Sequence, residues 1–380
     1  MRHELQTQLV KRVLAHLEGR TTDSAAAMST RAVAAYTDPA IYERERAMFR
    51  AVPVPVGHVS QLAVPGAFLT HDATGVPLLV VRGDDGELRA FLNVCRHRGT
   101  RLADAPCGEA KAFVCPYHAW SYSRSGSLLG IPHERGFAAV DREQRGLARV
   151  PVGVAGGLVF VRPSVIAEGE SAVLDAAAWL GPIAEDLESF GLASAHVYAP
   201  TTQMRTLGWK LAIDVFLEAY HLRPTHHDSI YKMFFDNIGL VDPIGPHLRN
   251  VFPKRSIREL ASLPESEWVL RRHANVLYHL FPNTLILVEP DHAAVLHLWP
   301  RDAGTTLLTS YTLIPEPPAT DKAKKYWDAN NAILYNAVGE DFTMGESIQR
   351  GLASGANREV VFGAFEHALA HFHRQIDQRL

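Results

Sequence analysis

Residues 1–20, MRHELQTQLVKRVLAHLEGR, place Leu5, Leu9, Val13 and Leu17 at intervals of four among charged and polar positions. That spacing predicts an amphipathic helix and lacks the unbroken apolar core of a signal peptide. Beyond it the apolar runs are shorter. PLLVVRG, LRAFLNV and KAFVC read as strands. The most apolar run, VPVGVAGGLVFV, lies between Arg149 and Arg162, contains glycine and proline, and is too short to span a bilayer. In GWKLAIDVFLEAYHLRPTHHDSI, residues 208–230, Trp209, Ile213, Phe216, Leu217 and Tyr220 recur on one helical face. Asp214, Glu218 and His221 share a second stripe beside it. NVLYHLF, TLILVEP, AAVLHLWP and TTLLTSYTLIP then read as consecutive strands of an antiparallel sheet. After the loop IPEPPATD, KKYWDANNAILYNAVGEDFTMGESIQRGL predicts a long helix with Trp327, Leu334, Asp341 and Ile348 on a seven-residue repeat. No internal repeat is present, and the mixture is α+β.

At 380 residues and 47% hydrophobic content, the chain is long enough for two domains, or for one inserted in another. The net charge of -3, with acids and bases mixed, argues against nucleic acid and anionic membranes as partners. A soluble cytoplasmic protein is expected. Three cysteines argue against a secreted disulfide framework and leave metal binding or catalysis.

Two of the cysteines have histidine companions, as Cys95-x-His97 and, after a spacer of seventeen residues, Cys115-x-x-His118. Cys107 has none and is expected to be a free thiol in a loop. Two thiolates and two imidazoles on short loops between strands can converge on zinc or on an iron–sulfur cluster. Familiar zinc modules space their ligands differently, whereas a Rieske [2Fe-2S] centre takes two cysteines on one iron and two histidines on the other.

Downstream, His226 lies five residues after His221, about 140° around a continuous helix. Pro224 between them is expected to bend the chain so that both imidazoles reach one point. His227 is the weaker substitute. Asp341 falls on the apolar stripe of the last helix, where a carboxylate needs a cation or strong donors. Two histidines and a carboxylate form the facial triad of non-haem Fe(II) oxygenases, and Glu340 is the fallback for the third corner.

The segment from about Pro53 to Pro163 resembles the Rieske domain of ring-hydroxylating oxygenase large (alpha) subunits, and the flanking regions resemble that family's catalytic domain. The resemblance implies N-terminal helices at 1–52, an all-β Rieske domain at 53–163 inserted into a helix-grip (START-like) catalytic domain, and catalytic residues within 164–380. It places the inner iron on Cys95 and Cys115 and the outer iron on His97 and His118, with Tyr117 and Trp120 packed beside the cluster. Arg96, Arg98 and Arg101 would tune the cluster or face a neighbouring subunit, a solvated basic edge being the alternative. The family pattern acid-x-x-His-x4-His matches Glu218, His221 and His226, usually with Asp where Glu218 stands, and the "ED…E..QRGL.S" arrangement supplies Asp341 as third ligand. Glu218 would then bridge the two metal centres between neighbouring subunits, with Asp214 an auxiliary group. Gly208 stands where the family commonly has Asn.

The activity that the resemblance implies is that of a terminal oxygenase. Electrons from NAD(P)H would arrive through a separate reductase, with or without a ferredoxin, and serve O2-dependent hydroxylation of an aromatic ring or oxidative demethylation. The assembly would be a ring-shaped homotrimer, alone or with a small beta subunit. Glu at 218 also occurs in members that act on quaternary ammonium compounds, and Phe234, Phe235, Tyr278 and Phe281 are candidate walls for such a cation. An electron-transfer protein, or a binding protein with a structural Cys2His2 zinc site, would account for the first motif alone.

Overall fold

The computed structural model describes residues 1–167 and 169–380. They form two compact units, one of Met1–Glu45 with Gly181–Leu380 and one of Arg46–Leu180, so the second is inserted in the chain of the first.

The inserted unit is built of strands. Leu78–Arg82 pairs antiparallel with Ala67–His71 on one side and Leu88–Leu92 on the other, inside a five-stranded sheet. Leu78, Leu79, Val80 and Val81 are all buried, which is why this strand reads as a continuous apolar run and not as an alternation. The apolar run after Arg149 folds into the hairpin Val152–Ala155 and Leu158–Val161. Its turn residues Gly156 and Gly157 have φ of 55° and 79°, as a two-residue hairpin loop with both centres left-handed requires. Cys107 opens the edge strand Cys107–Glu109 and is exposed, so it lies in a strand and not in a loop.

The larger unit is organised on a seven-stranded antiparallel sheet whose order is His196–Arg205, Thr305–Ile314, Ala293–Asp302, Thr284–Val288, Ala274–Leu280, His247–Pro253, Leu240–Ile244. Every residue from Ala293 to Pro300 is buried, so this strand has no solvated face. Each fully buried Leu or Val there stabilises by about 1.5–3 kcal/mol over its exposed state. The helix His3–Gly19 buries Leu9, Val10 and Val13, and Arg12 ties it to Asp242 and Asp23 at 2.7 Å each.

The long helix Asp321–Ala353 is capped by Thr320, whose hydroxyl accepts from the Ala323 N–H at 3.1 Å. Trp327 and Asp341 on it are buried, but Ile348 is 42% exposed. A strict seven-residue repeat drifts by about 20° per heptad around a straight helix, so three heptads carry the stripe off the buried face.

The 208–230 segment is not one helix. It forms Trp209–Asp214, a series of tight turns, and then Leu222–Thr225. Tyr220 is consequently 57% exposed instead of sharing the face of Trp209. Gly208 begins the segment against the backbone: a Cβ there would lie 2.4 Å from the Ala303 carbonyl oxygen, which leaves no room for a side chain. Among the described residues, no helix is long and apolar enough to cross a membrane.

Candidate metal centres and the cavity beside the second

The two Cys/His loops are built alike. Cys95 takes the Thr100 carbonyl at its N–H and gives its own carbonyl to Gly99 N–H, while Cys115 does the same with Trp120 and Ala119. The residue four after each cysteine is left-handed, Gly99 at φ 87° and Ala119 at φ 55°. For alanine that conformation costs about 1 kcal/mol, held in place by the surrounding turn. Buried Asn93 closes the first loop, accepting from the N–H groups of Leu102 and Ala103 and donating to the Ala103 carbonyl at 2.7 Å.

Cys95 and Cys115 are each 2% exposed. Burial raises the Cys115 thiol, but the backbone N–H groups of His118 and Tyr117 and side-chain hydrogen bonds with Cys95 and Thr100 outweigh it and bring the pKa down, toward the ligating thiolate. Tyr122, a member of CPYHAWSY whose spacing carries no ligand signature, places its hydroxyl 3.4 Å from Cys95 Sγ and accepts from Arg96 N–H at 2.9 Å. The His97 and His118 rings stand 4.7 Å apart, and the Nδ1 atom of each is buried with no partner. Burial, then His118 and Arg98, lower the His97 pKa and so favour the neutral ring. Two orphaned imidazole nitrogens and two buried thiols on a pair of matching loops fit a Rieske cluster. Trp120 stacks on His97 at 4.8 Å, and Tyr117, 58% exposed, lies over His118. Arg96 and Arg98 are exposed, and Arg101 pairs with Asp72 at 3.0 Å.

In the larger unit, His221, His226 and Asp341 each offer a ligand atom within 4.8 Å of the others. One oxygen of Asp341 lies 2.9 Å from His226 Nε2 and 3.3 Å from His221 Nε2. Pro224 is not the source of this convergence. It sits within the first turn of Leu222–Thr225, where no N–H is needed, and Thr225 N–H still reaches the His221 carbonyl. The turn is made by His226 itself, which leaves helical geometry at φ -103°, ψ 22°.

Glu218 accepts from His221 Nδ1 at 2.5 Å and also from the backbone N–H groups of Tyr220 and His221. Burial works against a charged His221, yet Asp341 and Glu218 hold its pKa up at about 10. His226 is raised in the same way, against burial, by Asp341 and Glu340. A buried carboxylate facing two Nε2 atoms, with a second acid behind each ring, is a donor set that fits a divalent cation.

Glu340 therefore has a different task from the fallback third ligand. Its carboxylate lies 2.6 Å from His226 Nδ1 and 2.6 Å from Ser229 Oγ, behind the ring. Glu340→Gln is expected to weaken iron affinity about tenfold or more without touching the cluster spectrum, because the ring loses the acid that orients it; competition with a chelator measures this. His227 is exposed and pairs with Asp228.

A cavity of about 340 Å³ opens beside Glu218, His221, His226 and Asp341. Of the expected aromatic walls only Phe234 lines it, together with Phe216 and Phe252. Phe235 lies under Arg255 and Arg258, Tyr278 donates to Asp186 at 2.9 Å, and Phe281 is buried against Arg379.

Asp214 is placed away from this group. It accepts from Tyr36 Oη at 2.6 Å and from His373 Nε2 at 3.0 Å, is buried, and does not line the cavity. The expected common face with Glu218 is lost because the helix stops at Asp214. Asp214→Ala removes the buried acceptor shared by Tyr36 and His373, which lie 2.9 Å from each other and keep only that contact, and is expected to cost about 1–3 kcal/mol in a denaturant titration. Turnover per folded molecule should change little.

A unit with two Cys/His loops and a second unit with a two-histidine, one-carboxylate group define a two-centre iron oxidoreductase. The description "Rieske [2Fe-2S] domain" matches residues 52–147, and "Ring hydroxylating alpha subunit (catalytic domain)" matches residues 192–380. The chain is 28% identical to the glycine betaine monooxygenase oxygenase subunit of Pseudomonas aeruginosa, over 84% of this chain and 82% of that protein. It is 29% identical to the carnitine monooxygenase oxygenase subunit of Escherichia coli, over 90% and 91%. A solved structure of a quaternary ammonium Rieske monooxygenase superposes with a TM-score of 0.79 at 25% identity, covering 94% of this chain and 96% of that one. The chain belongs to the Rieske oxygenase large-subunit family. It is a Rieske-type oxygenase whose cofactors are a [2Fe-2S] cluster and a mononuclear iron, reduced by a separate reductase.

Proposed function

We propose that this oxygenase hydroxylates, and so demethylates, a small N-methylated ammonium compound. The observation that carries the reading is the convergence of His221, His226 and Asp341 at a largely apolar cavity. The names of the relatives and the glutamate at 218 support the substrate class, and Phe216, Phe234 and Phe252 supply aromatic surface for a methylated cation.

In this reading Cys95, Cys115, His97 and His118 hold the cluster, and His221, His226 and Asp341 hold the iron. When bound, the cluster supplies single electrons and the iron supplies O2 activation. Glu218 fixes the tautomer and orientation of His221, Glu340 those of His226, and the apolar walls keep water from the reacting carbon. The working form is a cytoplasmic homotrimer in which Glu218 couples the cluster of one subunit to the iron of the next, fed by a reductase or ferredoxin. Iron, zinc and acid-labile sulfide on anaerobically purified protein test the metal assignment. About three irons and two sulfides per chain are expected, with one iron lost and the visible spectrum kept in His221→Ala/His226→Ala. Zinc without sulfide would overturn it, and formaldehyde release from N-methylated ammonium compounds tests the reaction.

A further inference from the structure

The floor of the cavity changes character along its length, and strand register shows where. Leu277 and Leu287 are paired neighbours on adjacent strands, and both line the cavity. Side chains alternate along a strand, so the next position outward on the same face is Asn275 on one strand and Glu289 just past the end of the other. Asn275 is in turn paired with Phe252, from which Lys254 is again two residues on, and all of these line the cavity. One step beyond the Leu277–Leu287 row the floor holds Asn275 and Glu289 beside Phe252, and a second step out it reaches Lys254.

The roof changes in the same direction, since Tyr326 at the far end of the helix stripe donates to Asp291, two residues past Glu289. The long helix lines the cavity from Asp341 through Val338 and Leu334 to Asn330 and Tyr326, a single helical stripe. Asn330 is roughly 16 Å from Asp341 along the helix axis. The cavity thus has an apolar chamber at His221, His226 and Asp341, and a polar end well removed from it.

Two features of that end ask for a ligand. Lys254 Nζ pairs with Glu289 Oε2 at 3.2 Å, presenting one cation and one anion side by side. Asn275 Oδ1 is buried and has no hydrogen-bond partner, which costs about 1–3 kcal/mol while it stays unfilled. We infer that the substrate is an extended molecule whose far end is an amino-acid-type zwitterion: its carboxylate meets Lys254, and its ammonium meets Glu289 and Asn275. The nature of the reacting end rests on the proposed function; the polar head does not. A compact betaine has no group that reaches this row.

Calorimetry on the anaerobic holoenzyme tests the inference with four probes: Nε-trimethyl-lysine, its des-amino analogue 6-(trimethylammonio)hexanoate, glycine betaine, and homophenylalanine. Trimethyl-lysine is expected to bind at least about tenfold more tightly than glycine betaine and the des-amino analogue. Lys254→Met/Glu289→Met removes both charges together, so the fold keeps no unpaired ion, and it should erase that preference. Asn275→Leu should weaken trimethyl-lysine binding while raising the melting temperature, a combination that a purely structural asparagine would not give. If homophenylalanine binds in a manner that depends on Lys254 and Glu289 and trimethyl-lysine does not, the polar head stands and the N-methylated substrate class falls. If neither probe senses the double substitution, the inference is overturned.

Discussion

Glu218→Gln is expected to keep the cluster spectrum and the mononuclear iron and to lose about 100-fold in product formation. The carboxylate does two things that one amide cannot do together. One oxygen takes the His221 Nδ1 proton at 2.5 Å, and the other takes the backbone N–H groups of Tyr220 and His221. An amide has a single oxygen, so either the ring or the backbone turn faces an NH2 group. It also carries no charge to offset a proton or electron arriving at His221. Glu218→Asp keeps the charge on a shorter arm and is expected to recover part of the lost rate, which a merely structural role would not predict. Stopped-flow reoxidation of the reduced cluster in the presence of substrate and O2 reads the defect: slow in Glu218→Gln, partly restored in Glu218→Asp. Reoxidation at the native rate in the glutamine variant would remove Glu218 from the coupling path.

Much of this architecture is legible in the chain because local and global signals agree. The strands from Ala274 to Ile314 are legible as short apolar runs and the helix Asp321–Ala353 as a helical repeat, and the Cys/His spacings bring four side chains to two matching loops. Other features depend on geometry that spacing does not encode. The 208–230 segment has the apolar spacing of one helix, yet its chain must turn after Asp214 to bring Glu218 and His221 to the cavity. That turn sends Asp214 to Tyr36 and His373, more than a hundred residues away in each direction. Glu340 and Asp341 are adjacent acids with no local sign of which faces the metal site, and the packing of His226 decides between them. Tyr122 is one of several aromatics around Cys115, and only the fold aims its hydroxyl at Cys95. The candidate aromatic walls fail for a similar reason: Tyr278 and Phe281 lie in and just beyond a strand whose two faces are both covered, so hydrophobicity does not say which face looks into the cavity.

The other large effect is expected from Asp341→Asn. The carboxylate is 6% exposed, and one of its oxygens faces both imidazole Nε2 atoms. Asparagine preserves volume and leaves an oxygen that can still face one ring, so the fold should survive. It removes the one negative charge in the three-residue group, and a neutral set of two imidazoles and an amide holds a hard divalent ion poorly. Iron is expected to fall from about three to about two per chain, with sulfide and the visible spectrum unchanged and no detectable product. The neighbouring Glu340 will not compensate, because its carboxylate is committed to His226 Nδ1 and Ser229 Oγ on the far side of the ring. Asp341→Glu is the sterner control: the charge returns on a longer arm in a buried site, so some iron should return, with turnover well below native. If Asp341→Asn keeps its third iron and its activity, the carboxylate is not a ligand, and the third corner of the site lies elsewhere.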